Sequence, residues 1–276
     1  MNKKKRIIVL IISILTGISV LTASAFLYKY LHQDQLSLDY EYLNSISPDQ
    51  LLYYQKKYPG NWKDYIAVLS LLNDPYTDDH SKELSLRDKY IKTIIAQLES
   101  NKQFADIDWI GINRTEKNKI IKFRRILEYY TIYNPEEYGF PVEKAPTYDD
   151  TYGADREGGQ RRHEGTDLFN KKGTNIISVS TGTIEQLGWN RLGGERVGIR
   201  GSDGNYYYYA HLDTINSSLS INKQVNKGDL LGTMGNTGDA VTTPDHLHFG
   251  IELPNGKWIN PFPYLKVWEY YQFKNE

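Results

Sequence analysis

The hydrophobic pattern changes character once along the 276-residue chain, near Asn134-Pro135, and that change limits the fold more than any other feature. Before it, apolar residues recur at helical spacing; after it, short β-branched or aromatic runs alternate with glycine turns. Ser47-Pro48-Asp49 reads as a helix start, with serine as cap and proline at the first helical position. Leu51, Leu52, Tyr54 and Tyr58 follow until Pro59-Gly60 stops the helix. Trp62, Tyr65, Ile66, Leu69 and Leu72 form a second amphipathic set, ended by Asn73-Asp74-Pro75. The stretches from Leu84 to Leu98 and from Glu116 to Tyr133 supply two more. Their stripes read as core faces of a small helical bundle. Beyond Phe140 the runs are Ile176–Val179, Gly182–Leu187, Val197–Arg200, Tyr206–His211, Asp229–Met234 and His246–Glu252. Such spacing predicts a compact, mainly antiparallel β domain, entered through a loop-rich tract from Glu143 to Gln160. The fold class is α+β, with a helical region over 31–135 and a β domain over 136–276.

The first thirty residues are of another kind. Lys3, Lys4, Lys5 and Arg6 precede an apolar run from Ile7 to Leu27 that holds no charged residue. About 20 apolar residues cross the hydrocarbon core of a bilayer, and this run meets that length. The basic cluster stays cytoplasmic under the positive-inside rule, which places everything after Tyr28 outside. Ala23-Ser24-Ala25 offers a signal-peptidase pattern, so cleavage after Ala25 and secretion is the alternative to a single-pass anchor. We favour the anchor because Phe26, Leu27 and Tyr28 continue the apolar run. The 33 basic and 34 acidic residues nearly cancel, which makes nucleic acid a poor partner. No cysteine is present, so any metal must be held by His, Asp or Glu.

Six histidines exist. His32 and His80 read as surface residues in polar surroundings. The other four fall in the β domain beside further potential ligands. His163 and Asp167 lie four residues apart, His211 closes Tyr209-Ala210-His211, and His246-Leu247-His248 presents two imidazoles on one strand face. Neutral imidazoles and a carboxylate suit zinc, which catalytic sites hold with three protein ligands and one open position.

This set resembles the LytM/lysostaphin-type zinc metallopeptidases, peptidase family M23. Flanking residues carry the likeness further: Arg162-His163-Glu164-Gly165-Thr166-Asp167-Leu168, Val225-x-Lys227-Gly228-Asp229, and Gly235-Asn236-Thr237-Gly238. It covers roughly residues 140–262. The resemblance implies an open antiparallel groove with one zinc on its floor, held by His163, Asp167 and His248. It makes His211 and His246 unligated catalytic histidines, for proton transfer and for stabilising the oxyanion. Peptidoglycan stem peptides or cross-links are the implied substrates. The segments Gly158-Gly159-Gln160-Arg161-Arg162 and Gly188 to Gly194 look like those of sporulation-associated L-Ala–D-Glu endopeptidases, which makes Arg161, Arg162 and Arg191 candidates for binding stem-peptide carboxylates. Two departures stand out. Asp245 separates Pro244 from the His246 pair, where it either orients His246 or faces water at the strand entry. The stretch from Glu157 to Arg162 lacks the tyrosine that many relatives carry, and Tyr152 substitutes only if its loop folds back.

The reading is therefore a membrane-anchored, extracytoplasmic zinc endopeptidase acting on peptidoglycan. The rival is a membrane-anchored scaffold of sporulation-engulfment type, whose M23 domain binds a partner protein in the cell envelope. Retention of all five site residues favours the enzyme.

Overall fold

The computed structural model describes residues 35–72 and 84–274. The Ile7 to Leu27 run, His32 and His80 lie outside the described residues. Among the described residues no helix is long and apolar enough to cross a membrane. The chain divides into two compact units, residues 1–40 and 41–276. Residues 35–40 of the first are helical; the second holds the sheet and the helices named below.

Helix α1 (Pro48–Lys57) starts where Ser47 takes an extended conformation and its side chain accepts from the Gln50 amide. α2 (Trp62–Leu69) and α3 (Leu84–Glu99) follow. α4 (Arg114–Tyr129) begins earlier than its apolar spacing predicts, because Asn113 caps it by accepting from the Glu116 amide at 2.8 Å. It also stops earlier, since Tyr130 is extended, and Ile132 and Tyr133 are buried from a turn instead. Tyr42 stacks on Phe123 with ring centroids 4.4 Å apart, and Tyr58 on Tyr65 at 4.1 Å. Tyr42, Tyr65 and Phe123 are core, while Tyr54, Tyr58 and Trp62 are half-buried and Leu72 is exposed.

The β region is antiparallel throughout. Strands β1 (Asp155–Arg156) and β2 (Arg161–Arg162) make a separate hairpin. The nine-stranded sheet is built from β3 (Thr166–Phe169), β4 (Asn175–Ile177), β5 (Gly182–Asn190), β6 (Gly194–Gly201), β7 (Tyr206–Ile215), β8 (Gln224–Val225), β9 (Leu230–Met234), β10 (His246–Glu252) and β11 (Trp258–Ile259). Its main path runs β11-β10-β7-β6-β5-β8, with β3 against β10 and β9 joining β7 to β4. β10 is thus central, flanked by β7 on one side and by β3 and β11 on the other.

A closing helix, α5 (Phe262–Phe273), escapes the periodicity argument. Pro263, Tyr264, Leu265, Val267 and Trp268 are all buried, so no polar face marks it as amphipathic. It packs between the two regions. The Trp268 indole donates to the Ile132 carbonyl at 2.8 Å, Tyr271 hydroxyl donates to Gln55 at 3.0 Å, and the Phe249 ring of β10 lies 6.3 Å from Trp268.

Candidate metal centre

Sheet register brings the first two donors together. In the β3–β10 pair His248 stands directly opposite Asp167, and opposed residues share a face. His163 follows β2 and is fixed by its backbone: its amide donates to Ala154 at 2.9 Å and its carbonyl accepts from Gly153 at 2.8 Å. Its ring Nδ1 is 3.0 Å from the Thr151 carbonyl. A carbonyl only accepts, so Nδ1 carries the proton and Nε2 turns a lone pair inward. That Nε2 is 3.0 Å from Asp167 Oδ1 and 3.1 Å from His248 Nδ1, which is itself 3.0 Å from the same oxygen. Among the described residues this is the one group of three or more such side chains that could hold a metal.

The donor set fits zinc. Tetrahedral bonds of about 2.0–2.1 Å place neighbouring donors roughly 3.3–3.4 Å apart, close to the triangle observed. Burial disfavours a charge on Asp167, but the adjoining imidazoles of His163 and His248 outweigh it and hold the carboxyl well below its usual range. Burial likewise pushes the His248 imidazole down, against the pull of Asp167. Gly165 makes room for this packing. A Cβ there would lie 2.5 Å from the Phe249 carbonyl oxygen and 2.6 Å from His248 Cε1.

Two more histidines border the triad. His246 precedes His248 by two residues and shares its face; its Nδ1 donates to the Pro244 carbonyl at 2.8 Å. His211 has its ring 4.9 Å from that of His246, and its Nδ1 donates to the Thr237 carbonyl at 2.8 Å. In its neutral form each ring therefore keeps a lone pair on Nε2. The run expected to end at His211 continues to Ile215, through a bulge between the Val197↔Tyr209 and Glu195↔Leu212 pairs. His211 occupies that bulge at φ 65°, a left-handed conformation strained for a residue with a β-carbon. Burial, then the neighbouring His248 and His246, lowers its pKa to about 4 despite the Thr237 carbonyl and Asp167. At neutral pH His211 is an uncharged proton acceptor.

All five residues line one groove of about 530 Å³, together with Tyr208, Trp258, Asn190 and Asp239. Arg161 and Arg162 line it as well, each in an ion pair: Arg161 with Asp239 at 3.2 Å, Arg162 with Asp155. Arg191 is exposed at the β5–β6 turn, outside the groove lining. Tyr152 does not reach in, because its hydroxyl donates to the Trp258 carbonyl at 2.7 Å. Tyr208 lines the groove from β7 instead, with its ring 6.1 Å from that of His248. Asp245 is half-buried and acts on Lys172, while the His246 ring is held by the Pro244 carbonyl. Arg156 is among the groove residues that the sequence does not single out. Arg156 Nη2 lies 2.6 Å from Asp167 Oδ2. It lies in a loop-rich tract without periodicity, and only the β1–β2 pairing brings it near the carboxylate.

Known proteins share this architecture. Residues 161–261 match the model of peptidase family M23. The chain is 34% identical over 168 residues to an L-Ala--D-Glu endopeptidase of Bacillus subtilis, a match covering 57% of this chain and 52% of the relative. It is 33% identical over 109 residues to lysostaphin of Staphylococcus simulans, covering 38% of this chain and 21% of the relative. The chain thus spans about half or less of these relatives' own lengths. A crystal structure from Ruminococcus gnavus, assigned as a glycyl-glycine endopeptidase lytM, superposes with a TM-score of 0.52. At 24% identity over 82% of this chain and 88% of that one, it shows a shared fold.

Proposed function

We propose, from a chain whose residues 161–261 are a peptidase family M23 domain, that this protein is a zinc-dependent endopeptidase hydrolysing peptide bonds in bacterial peptidoglycan. The observation that carries the proposal is the convergence of His163 Nε2, Asp167 Oδ1 and His248 Nδ1 within 3.1 Å of one another on a groove floor. Zinc bound there would polarise a peptide carbonyl and acidify water.

The chain's own groups supply the proton chemistry. His211, uncharged at neutral pH, offers its Nε2 lone pair to the proton of the attacking water. His246 offers the same atom from the adjacent position. A neutral ring with its proton on Nδ1 cannot donate from Nε2, so oxyanion stabilisation requires the protonated ring. One histidine therefore takes the water proton onto Nε2 and gives that same proton to the leaving amine, while the other, where solvent has protonated it, donates a hydrogen bond to the developing oxyanion and keeps its proton. The Thr237 carbonyl favours the charged form of His211 against the larger effect of burial, and the Pro244 carbonyl fixes the orientation of the His246 ring.

Stem peptides are the proposed substrate class, supported by the likeness to the Bacillus endopeptidase. Arg161 and Arg162 line the groove as candidate partners for substrate carboxylates, available once they leave Asp239 and Asp155. For location we propose a single-pass anchor over the Ile7 to Leu27 run with the catalytic region outside. Protease added to intact protoplasts should remove everything beyond Tyr28; a protected full-length chain would reverse the orientation.

The full chain, incubated with purified peptidoglycan, should release fragments whose new amino termini identify the cleaved bond by mass. His163→Ala, Asp167→Ala and His248→Ala should each lose stoichiometric zinc and all turnover. A zinc-loaded parent with no new termini would replace the enzyme by the envelope scaffold.

A further inference from the structure

We infer that Arg156 is a positioning residue for Asp167: its guanidinium occupies one carboxylate oxygen so that the other alone faces the metal. The inference rests on the zinc-peptidase reading and concerns a residue outside the 161–261 segment that matches the family.

The two oxygens of Asp167 have separate partners. Oδ1 is 3.0 Å from His163 Nε2 and 3.0 Å from His248 Nδ1. Oδ2 is 2.6 Å from Arg156 Nη2, a charge-assisted hydrogen bond at the short end of its range. A carboxylate held at neither oxygen can turn about its Cβ–Cγ bond and offer a cation one oxygen or two. Fastening Oδ2 removes that freedom. The Asp167 side chain is 12% exposed and that of Arg156 is 41% exposed, so the guanidinium reaches from the groove into a largely dry carboxylate.

Arg156 is itself held in place. In the β1–β2 hairpin it pairs with Arg161, and Asp155 pairs with Arg162. Gly158 and Gly159 turn the tip at φ 67° and 90°, which a β-carbon would resist. The second strand leads straight into His163, whose amide bonds back to Ala154 at 2.9 Å. Across the groove, Arg161 reaches Asp239 at 3.2 Å. One hairpin thus delivers a metal ligand and, from its other strand, the cation that aligns a second ligand. The guanidinium is a planar, positively charged donor suited to a carboxylate oxygen. Its charge also favours negative charge developing nearby in the groove.

The test uses the full-length chain with Arg156→Met and Arg156→Lys, each checked for an unchanged thermal transition. Zinc affinity is measured by competition with a chromophoric chelator, and cobalt(II) is substituted to read ligand geometry from its visible absorption. Arg156→Met should weaken zinc binding about 10–100-fold, as loss of an outer partner of a ligand does. Its cobalt spectrum should shift, Arg156→Lys should recover much of both, and at saturating zinc kcat should fall with KM unchanged. Parental zinc affinity and cobalt spectrum in Arg156→Met would overturn the inference. A rise in KM alone, with zinc affinity intact, would do the same and make Arg156 a substrate contact. A parent that binds no zinc would remove the zinc-peptidase reading itself, and this inference with it.

Discussion

The helical region and the sheet both bury polar side chains, and they use them in opposite ways. In the helices several such groups meet a complement within the protein. Arg87 lies 3.4 Å from Glu116 with both side chains nearly dry, Gln55 donates to the Tyr133 carbonyl at 3.2 Å, and Ser70 donates to Ile66 at 2.7 Å. Around the groove the buried groups share a need. His163 and His248 each turn a ring nitrogen toward one oxygen of Asp167, while His211 and His246 keep Nε2 free of the carbonyls that hold their Nδ1. Satisfied polar groups fix a structure. Groups aimed at a common point present a shared set of donors, and the left-handed His211 beside them shows that the sheet accepts strain there.

The sharpest break between the regions should come from His211 and His246. Replacing either by alanine should leave zinc content and folding nearly intact and lower the hydrolysis rate by about 10²–10⁴-fold. Metal analysis and turnover on the same preparations decide this. Zinc lost along with activity would move that histidine from the proton chemistry into the ligand set.

Arg87→Ala should do the reverse. It leaves the buried Glu116 carboxylate with Lys119 at 3.8 Å as a poorer companion. Loss of about 3 kcal/mol in urea unfolding is expected, at the lower end for a broken buried pair, with zinc stoichiometry unchanged. A change under about 0.5 kcal/mol would show that the pair is not what holds α3 to α4.

The smallest effect is a pH slope confined to the groove. His211 titrates near 4 when folded and near 6.5 when unfolded, so the unfolded chain binds more protons between those values. Its contribution is complete above pH 6.5 and is lost as pH falls towards 4, by about 3 kcal/mol over the full range. Between pH 7 and 5.5 this amounts to roughly 1 kcal/mol. Urea unfolding of chelator-treated protein should show that difference, and His211→Asn should flatten it. Equal slopes in parent and variant would detach the low pKa from His211.

Helix positions were legible because each depends on neighbours in sequence. Ser47-Pro48 starts α1 where expected, and the apolar spacing of Leu84 to Leu98 describes α3 almost to its ends. Where a boundary was missed, as at Asn113, a capping side chain outside the apolar pattern had set it. Strands β4 to β7, β9 and β10 were legible from β-branched or aromatic runs between glycines, whereas the short β1, β2, β3, β8 and β11 were not; His246 and His248 share a face because strand side chains alternate. α5 left no trace, since its half-exposed face carries Phe262, Tyr270 and Phe273 while Glu269 is buried, so no periodic polarity marks it.

By itself, then, the sequence determined the amphipathic helices, the longer strands, the fold class and the residue types able to hold a metal, because propensity and periodicity act over a few positions. Only the tertiary structure decided which atoms meet. The β3–β10 register sets His248 against Asp167, and a bulge in β7 turns His211 into the groove. Pairing of β1 with β2 delivers Arg156 to the outer oxygen of Asp167, while the β5–β6 turn leaves Arg191 outside the groove. Each of those outcomes depends on hydrogen bonds between segments distant in the chain, and no local pattern encodes a register.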